Sequence, residues 1–383
     1  IRISMKKLIF KKFSLDHALF FLYVALSITL IVWVIQAVNF LDIVSEDGHS
    51  FRIYFFYTLL NLPKIFSRIL PFIFFISLFY ILIKYENYNE LIVFWTVGIK
   101  KITFVNKAIK MSLIYVLLQL MLTTYIVPTS QDAARSFIRS SQLDLFPSLF
   151  KEKKFIDTVN GLTIFIEKKN KNGSFENIFL KDQLNNNESQ IIFAKSGSII
   201  SNENNKSYLK LYDGRFINNK GNESTVFLFD STNFNLSTYT TKTTTFPKIQ
   251  EINTKILFRC ILKVNNVKIF EADDSIFEKY FACNEQNSKN MKQELFKRLI
   301  LPFYLPLLSL IATLIIIKSK DSYDYQRFQF ILFFIGTIII IISEVSVRYT
   351  SINNFLVILF SVIPIIFFVS FYIFLINKLK FLK

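Results

Sequence analysis

Few side chains in this 383-residue sequence are spaced to do chemistry, and those that are look better suited to holding ions than to breaking bonds. Lys64 and Arg68, in NLPKIFSRILP, stand one helical turn apart, so a helix would carry both cations on one face. Basic pockets of that kind hold lipid head groups, although long cationic side chains near the end of a span also snorkel to water with no further role. Arg348 is a similar candidate, and Arg135 and Arg139 share a face if their stretch is helical. Glu344, four residues before Arg348, reads either as an intramembrane acid with a function or as half of a helix-surface pair. Glu90 lies in KYENYNELIVFWTVGIKK, where Tyr88, Leu91, Trp95 and Ile99 fall along one helical stripe and Glu86, Glu90 and Thr96 lie off it. A helix over 85–99 of that pattern either rests at the membrane interface or docks into a partner's groove, with Glu90 free to hydrogen-bond.

Covalent and metal chemistry find little support. The two His and two Cys form no C-x-x-C or H-x-x-x-H spacing. The long polar segment has no His, which argues against a hydrolase site there. Cys260 and Cys283 could pair, but their spacing matches no disulfide framework.

The elements that must position these residues are membrane spans. Just over half of the sequence is hydrophobic, 45 residues are Phe, and the mean hydropathy is +0.39. Apolar runs long enough for a hydrocarbon core of ~30 Å occur at 18–41, 64–83, 102–127, 299–317, 328–347 and 355–376. The first exceeds a signal-peptide core in length and reads as a retained span. Lysine and arginine flank the N-terminus, the loop after the second run, the loop after the fourth and the C-terminus, whereas the loop after the first, DIVSEDGHS, is acidic. The positive-inside rule therefore puts both ends in the cytoplasm and the polar insert outside. The net charge of +17 is largely this topological signal, so nucleic acid is not an expected partner.

The insert reads as β-rich. GLTIFIEKK alternates Leu162, Ile164 and Ile166 against Thr163, Phe165 and Glu167, NGSF makes a turn, and ENIFLKDQ returns as a hairpin partner. Further strands, including SYLKLYDGRFI with Leu209 and Leu211, follow at short spacing, as in a sandwich or jelly roll. The alternating apolar positions Leu162, Ile164, Ile166, Leu209 and Leu211 suit either a core or a surface for acyl chains. The expected fold is a membrane α-helical domain of six transmembrane helices, arranged 3+3, with an inserted all-β, jelly-roll-like periplasmic domain. Its parts are 1–128 with three spans and the helix near 85–99, 129–296 with the β-domain, and 297–383 with three spans.

Several stretches carry a family resemblance. ILPFIFFISLFYILIKYENYNELIVFWTVGIKK resembles the LptF/LptG permeases, which share an ILP span start and an acidic residue before a short apolar helix ending in Gly. KFIDTVNGLTIFIEKKNKNGSFENIFLKD, VFLFDSTNFNLS and ELFKRLILPFYLPLLSLIA resemble later family patterns in the right order, with Phe296 where the family usually has His. RL-x-x-PFY and GLTIFI look more like the F-type subunit. The resemblance implies one permease subunit of an ABC exporter that extracts lipopolysaccharide from the bacterial inner membrane. It implies an LptG-type second permease, a dimer of LptB-type ATPases and an LptC/LptA-type periplasmic bridge as partners. Glu90 and Gly98 then match the acid and glycine of a coupling helix, with Tyr88, Leu91 and Trp95 as its apolar wedge. Lys64 and Arg68 become candidates for lipid A phosphates. No G-x-x-x-x-G-K-[ST] stretch occurs, so ATP would be bound by the partner and no cofactor by this chain. The competing reading is a mechanotransmitting ABC-type membrane subunit that carries no lipid, against which the six-span layout argues.

Overall fold

The computed structural model describes residues 2–41, 44, 51–140, 152–159, 161–170, 173–185, 188–201, 207–220, 223–235, 248–264, 285–350 and 354–381. Helices come first: α1 (Arg2–Asn39), α2 (Phe51–Leu60), α3 (Leu62–Asn87), α4 (Glu90–Thr96), α5 (Lys101–Met121) and, after a π-helical turn at Leu122–Ile126, α6 (Val127–Ser140). Six strands follow: β1 (Phe155–Val159), β2 (Leu162–Lys169), β3 (Ser174–Asn185), β4 (Glu188–Ser201), β5 (Ser207–Lys220) and β6 (Glu223–Asn235). The chain returns to helices in α7 (Thr254–Val264), α8 (Glu285–Leu299), α9 (Tyr304–Thr313), α10 (Tyr325–Tyr349) and α11 (Asn354–Phe381). Among the described residues, six helical stretches are long and apolar enough to cross a membrane: Met5–Asn39, Phe51–Asn87, Lys101–Ile138, Asn287–Ile317, Tyr325–Tyr349 and Phe355–Leu379. The sheet lies between the third and fourth, as expected. The stretch 268–299, whose sequence reads as more helical than the strands before it, is helical over Glu285–Leu299, and its first part, 268–284, falls outside the described residues.

The structure has two compact units, one of residues 1–34, 61–131 and 248–383, the other of 35–60 and 132–247. In the first, the fourth span is the axle. Every residue of α9 is buried, because a helix apolar on all sides needs neighbours on all sides. Pro302 and Pro306 replace regular α-helix near its start with a short 3₁₀ turn at Leu301–Phe303. Within a bilayer the lipid is as apolar as leucine, so close packing rather than water exclusion holds such helices together. Gly336 of α10 shows this: a Cβ there would fall 2.0 Å from the ring of Phe75 in α3. Some polar side chains bond between spans, as where Gln119 Nε2 donates to the Ser67 carbonyl at 2.8 Å.

In the second unit the strands form one antiparallel sheet in sequence order, β1 through β6. The β2–β3 hairpin has the expected partners, with Ile164 opposite Leu180 and Phe165 opposite Phe179. Among the described strands there is no Greek-key crossover; the sheet is a meander. It has a crease. The ladder skips Asn177, Lys195, Asp213 and Asp230, which lie at one level on β3 to β6, with no change of register on either side. Asn177 (φ 51°) and Asp213 (φ 47°) take the left-handed conformation that bulges use. Along each strand the inward positions change parity across this row: Phe175 then Ile178, Ala194 then Gly197, Leu211 then Phe216. One face therefore stays apolar through the bend.

Candidate functional site

The stretch that the sequence marks for partner contact is built differently from a single four-turn helix. α3 runs on to Asn87, and Asn89, at φ 61°, breaks the chain before α4 begins at Glu90. α4 ends in a Schellman cap, in which Gly98 N donates to Trp95 O at 2.9 Å and Ile99 N to Phe94 O at 3.0 Å. Gly98, at φ 77°, meets the left-handed requirement of that cap. The break rotates the stripe. Leu91, Phe94 and Ile99 point into the bundle, and Trp95 packs against the same core, so Leu91 and Trp95 are anchors rather than an outward wedge. The apolar residues left outside are Tyr88, Ile92 and Val93, exposed by 72%, 51% and 48%.

α1 clamps this helix from the side. Phe10 and Phe13 lie with ring centroids 5.6 and 6.4 Å from Phe94, edge-on. Lys12 Nζ meets Glu90 Oε2 at 3.0 Å, Lys6 Nζ donates to Gly98 O at 3.3 Å, and Tyr85 OH donates to Asp16 at 2.6 Å. The turn after the fourth span joins the same end, with Lys320 N donating to Glu86 at 3.0 Å and Lys101 Nζ to Ile316 O at 3.1 Å. Segments that the basic flanks assign to one membrane face therefore touch one another.

At the opposite end Lys64 donates to Gln131 at 3.3 Å, and Gln131 donates to Asn61 at 2.8 Å. Arg68 is exposed one turn further along α3, and Lys248 and Lys297 join these two cations within electrostatic range of Lys64, with Glu251 as the acid among them. Arg348, in the last turn of α10, is exposed and its carbonyl accepts from Gln293 at 3.1 Å. Glu344 is also exposed. In the second unit Arg135 is buried at 8% exposure, and the side chain of Arg139 lies outside the described residues.

Sequence reasoning missed Arg298. Its guanidinium is 2% exposed and makes four bonds: Nε to Glu294 Oε1 at 2.9 Å, Nη1 to Ile252 O at 2.8 Å and Thr254 Oγ1 at 2.9 Å, and Nη2 to Gln250 O at 2.9 Å. Thr254 donates on to Thr124 O at 2.7 Å, and Thr123 donates to Arg298 O at 2.9 Å. The segment leaving the insert is thus tied to the third and fourth spans at the π-helical turn. The available signal was Glu294 and Arg298 at i, i+4. Cys260, also on α7, is buried beside Met291 and is disulfide-bonded, while Cys283 lies outside the described residues.

Within the sheet, Leu162, Ile164, Ile166, Leu209 and Leu211 are at most 1% exposed and pack together as core. The opposite face carries a cross-strand row, Phe155, Phe165, Phe179, Phe193, Arg215 and Leu228, each opposite the next. Arg215 sits 4.7 Å above the Phe193 ring. Phe165, Phe179, Phe193, Arg215 and Leu228 line a groove of about 680 Å³.

A family model described as lipopolysaccharide export system permease LptF/LptG matches residues 16–378, from within the first span to within the last and across the sheet. The chain belongs to the LptF/LptG family. It is also 26% identical over 193 residues to an uncharacterized protein of Rickettsia prowazekii (strain Madrid E), a match covering 50% of this chain and 53% of that protein. The chain thus spans about half the length of the curated relative it matches. The six long apolar helices and membership in the LptF/LptG family make this a multi-pass membrane protein. Phe296, where the resemblance leads to an expectation of His, is 3% exposed in the main helical core, where an apolar ring suits its neighbours better than an imidazole.

Proposed function

We propose that this chain is an F-type permease subunit of a lipopolysaccharide exporter in the bacterial inner membrane, driven by a dimeric LptB-type ATPase. It pairs with an LptG-type permease and hands lipid to an LptC/LptA-type bridge from its β-domain, which faces the periplasm. The supporting observation is the mounting of α4. Tyr88, Ile92 and Val93 form an exposed apolar patch beside Glu90, and Leu91, Phe94 and Ile99 fix the helix to the first three spans. A push on that patch moves the spans as a body, because packed aromatic contacts do not yield independently. Lys64, Arg68, Lys248 and Lys297 supply cations for the phosphates at the outer end. The Phe165–Phe179–Phe193 face, rather than the closed core of the sheet, offers acyl chains an apolar surface.

The test is native mass spectrometry of the tagged chain from its own membranes, followed by coupling assays. The reading expects a second six-span permease and two copies of an ATPase in the same particle. Glu90→Ala then leaves ATP hydrolysis running while lipid release falls by about ten-fold or more, the loss of one charged hydrogen bond worth roughly 1.5–3 kcal/mol. Lys12→Ala separates the roles of Glu90: an equal loss means that Glu90 acts through its ion pair with α1, and no loss means that it meets the partner directly. A chain that arrives alone overturns the proposal.

A further inference from the structure

A groove of about 350 Å³ opens beside the base of α1, lined by Lys6, Lys7, Phe10, Lys11, Ser14 and Lys107. Four ammonium groups and no carboxylate line it. The nearby acids are engaged elsewhere, Glu90 with Lys12 and Asp16 with Tyr85. Lys6 is committed in part to the Gly98 carbonyl, while Lys7, Lys11 and Lys107 are exposed and have no acidic partner among the described residues.

Topological charge alone needs lysines at this end, but it does not need a concave site with an apolar floor. The surroundings identify the occupant. Above Lys7 and Lys11 on the same side of α1 come Leu15 and Leu22, exposed by 53% and 51%. Above Lys107 on α5 come Ile114, Leu118 and Met121, exposed by 66%, 36% and 57%. Both walls of the basic groove therefore continue into apolar surfaces left uncovered by the protein's own helices. A soluble acidic partner would match the lysines and leave those surfaces bare. A diacyl phospholipid matches both.

We infer that this groove is a binding site for the head group of an anionic phospholipid in the leaflet at the lysine-rich face, with the acyl chains along α1 and α5. The site is at the opposite end from the cations proposed for the transported lipid, and it does not depend on what the permease carries. A phospholipid there bridges α1 and α5, the two elements between which Phe94 of the coupling helix is clamped.

The experiment uses the full chain in detergent, in whatever complex it purifies with, titrated with phosphatidylglycerol or phosphatidylcholine and read by native mass spectrometry. Wild type should retain one phosphatidylglycerol at concentrations where phosphatidylcholine is lost. Replacing Lys7, Lys11 and Lys107 together by Gln should weaken that retention by about five-fold for each lysine removed, from roughly 1 kcal/mol per cation near a charged lipid surface. The triple Lys→Arg variant should bind as wild type does, and Lys107→Gln alone serves if the triple Gln variant fails to fold. Equal retention by the Gln variants overturns the site. Displacement of the lipid by millimolar inorganic phosphate assigns the groove to free phosphate and overturns the lipid, as does loss of a bound protein subunit in place of lipid. Lipopolysaccharide release is assayed separately, so failure here leaves the transport reading standing.

Discussion

A guanidinium shut away from water must place its donors on protein atoms or cost several kcal/mol. Arg298 does so at Glu294, Gln250, Ile252 and Thr254, and two of those acceptors are backbone carbonyls that no substitution can remove. Arg298→Ala leaves Glu294 and these carbonyls without their donor, and breaking a buried pair from one side costs about 3–5 kcal/mol. The expected outcome is a large fall in melting temperature, read by fluorescence in detergent. Arg298→Lys should recover little, since a single ammonium cannot span partners on two sides. A result within error of wild type would mean that the ties between α7 and the spans are redundant. At this scale the sequence was legible where one residue type answers one local need. Gly98 is the example, since only a left-handed turn could follow α4 there. The outward stripe was not legible, because Asn89 interrupts the helix and the periodicity restarts from a new phase, which turns Leu91 and Trp95 inward. Arg298 was hidden for a related reason: apart from Glu294 its acceptors lie 44 to 48 residues away in the chain, and two of these are backbone carbonyls with no side-chain signature.

Among the elements, the contact of α10 with α3 depends on the missing side chain of Gly336. Gly336→Ala gains helix propensity of about 1 kcal/mol, yet its methyl group would overlap the Phe75 ring, and overpacking of this kind costs about 1–3 kcal/mol. Net destabilisation is expected, and the double variant Gly336→Ala/Phe75→Leu should recover part of it. If Gly336→Ala instead raised the melting temperature, helix propensity would have outweighed the clash. The helices themselves were legible because twenty apolar residues have few alternatives in a chain. Their true ends were not. α1 begins well before its apolar run because Phe10 and Phe13 are gripped by Phe94 and Phe104, a tertiary contact invisible to a hydropathy window.

For the whole molecule, the loop after the fourth span and the sheet should lie on opposite sides of the membrane. Single cysteines at Ser322 and Thr225, in a background where Cys260 and Cys283 are replaced, test this with a membrane-impermeant thiol reagent on spheroplasts. Thr225→Cys should label at once and Ser322→Cys only after lysis; the reverse order would invert the topology. The 3+3 arrangement and the inserted sheet could be read from the length of the apolar runs and from strand alternation, since both patterns are set by the surrounding solvent. The meander's crease could not, since a change of parity in one strand resembles the end of a strand, and only four strands compared at one level reveal it. That crease also limits how the gene can vary. Losing one codon within β3, β4, β5 or β6 on either side of the Asn177–Lys195–Asp213–Asp230 row would turn the stretch beyond it inside out and misalign it with both neighbours. Changes in length should therefore be tolerated at the hairpin tips and purged from the strands, so related genes should differ by insertions between these strands while keeping constant the distance from each strand's inward residues to its kink.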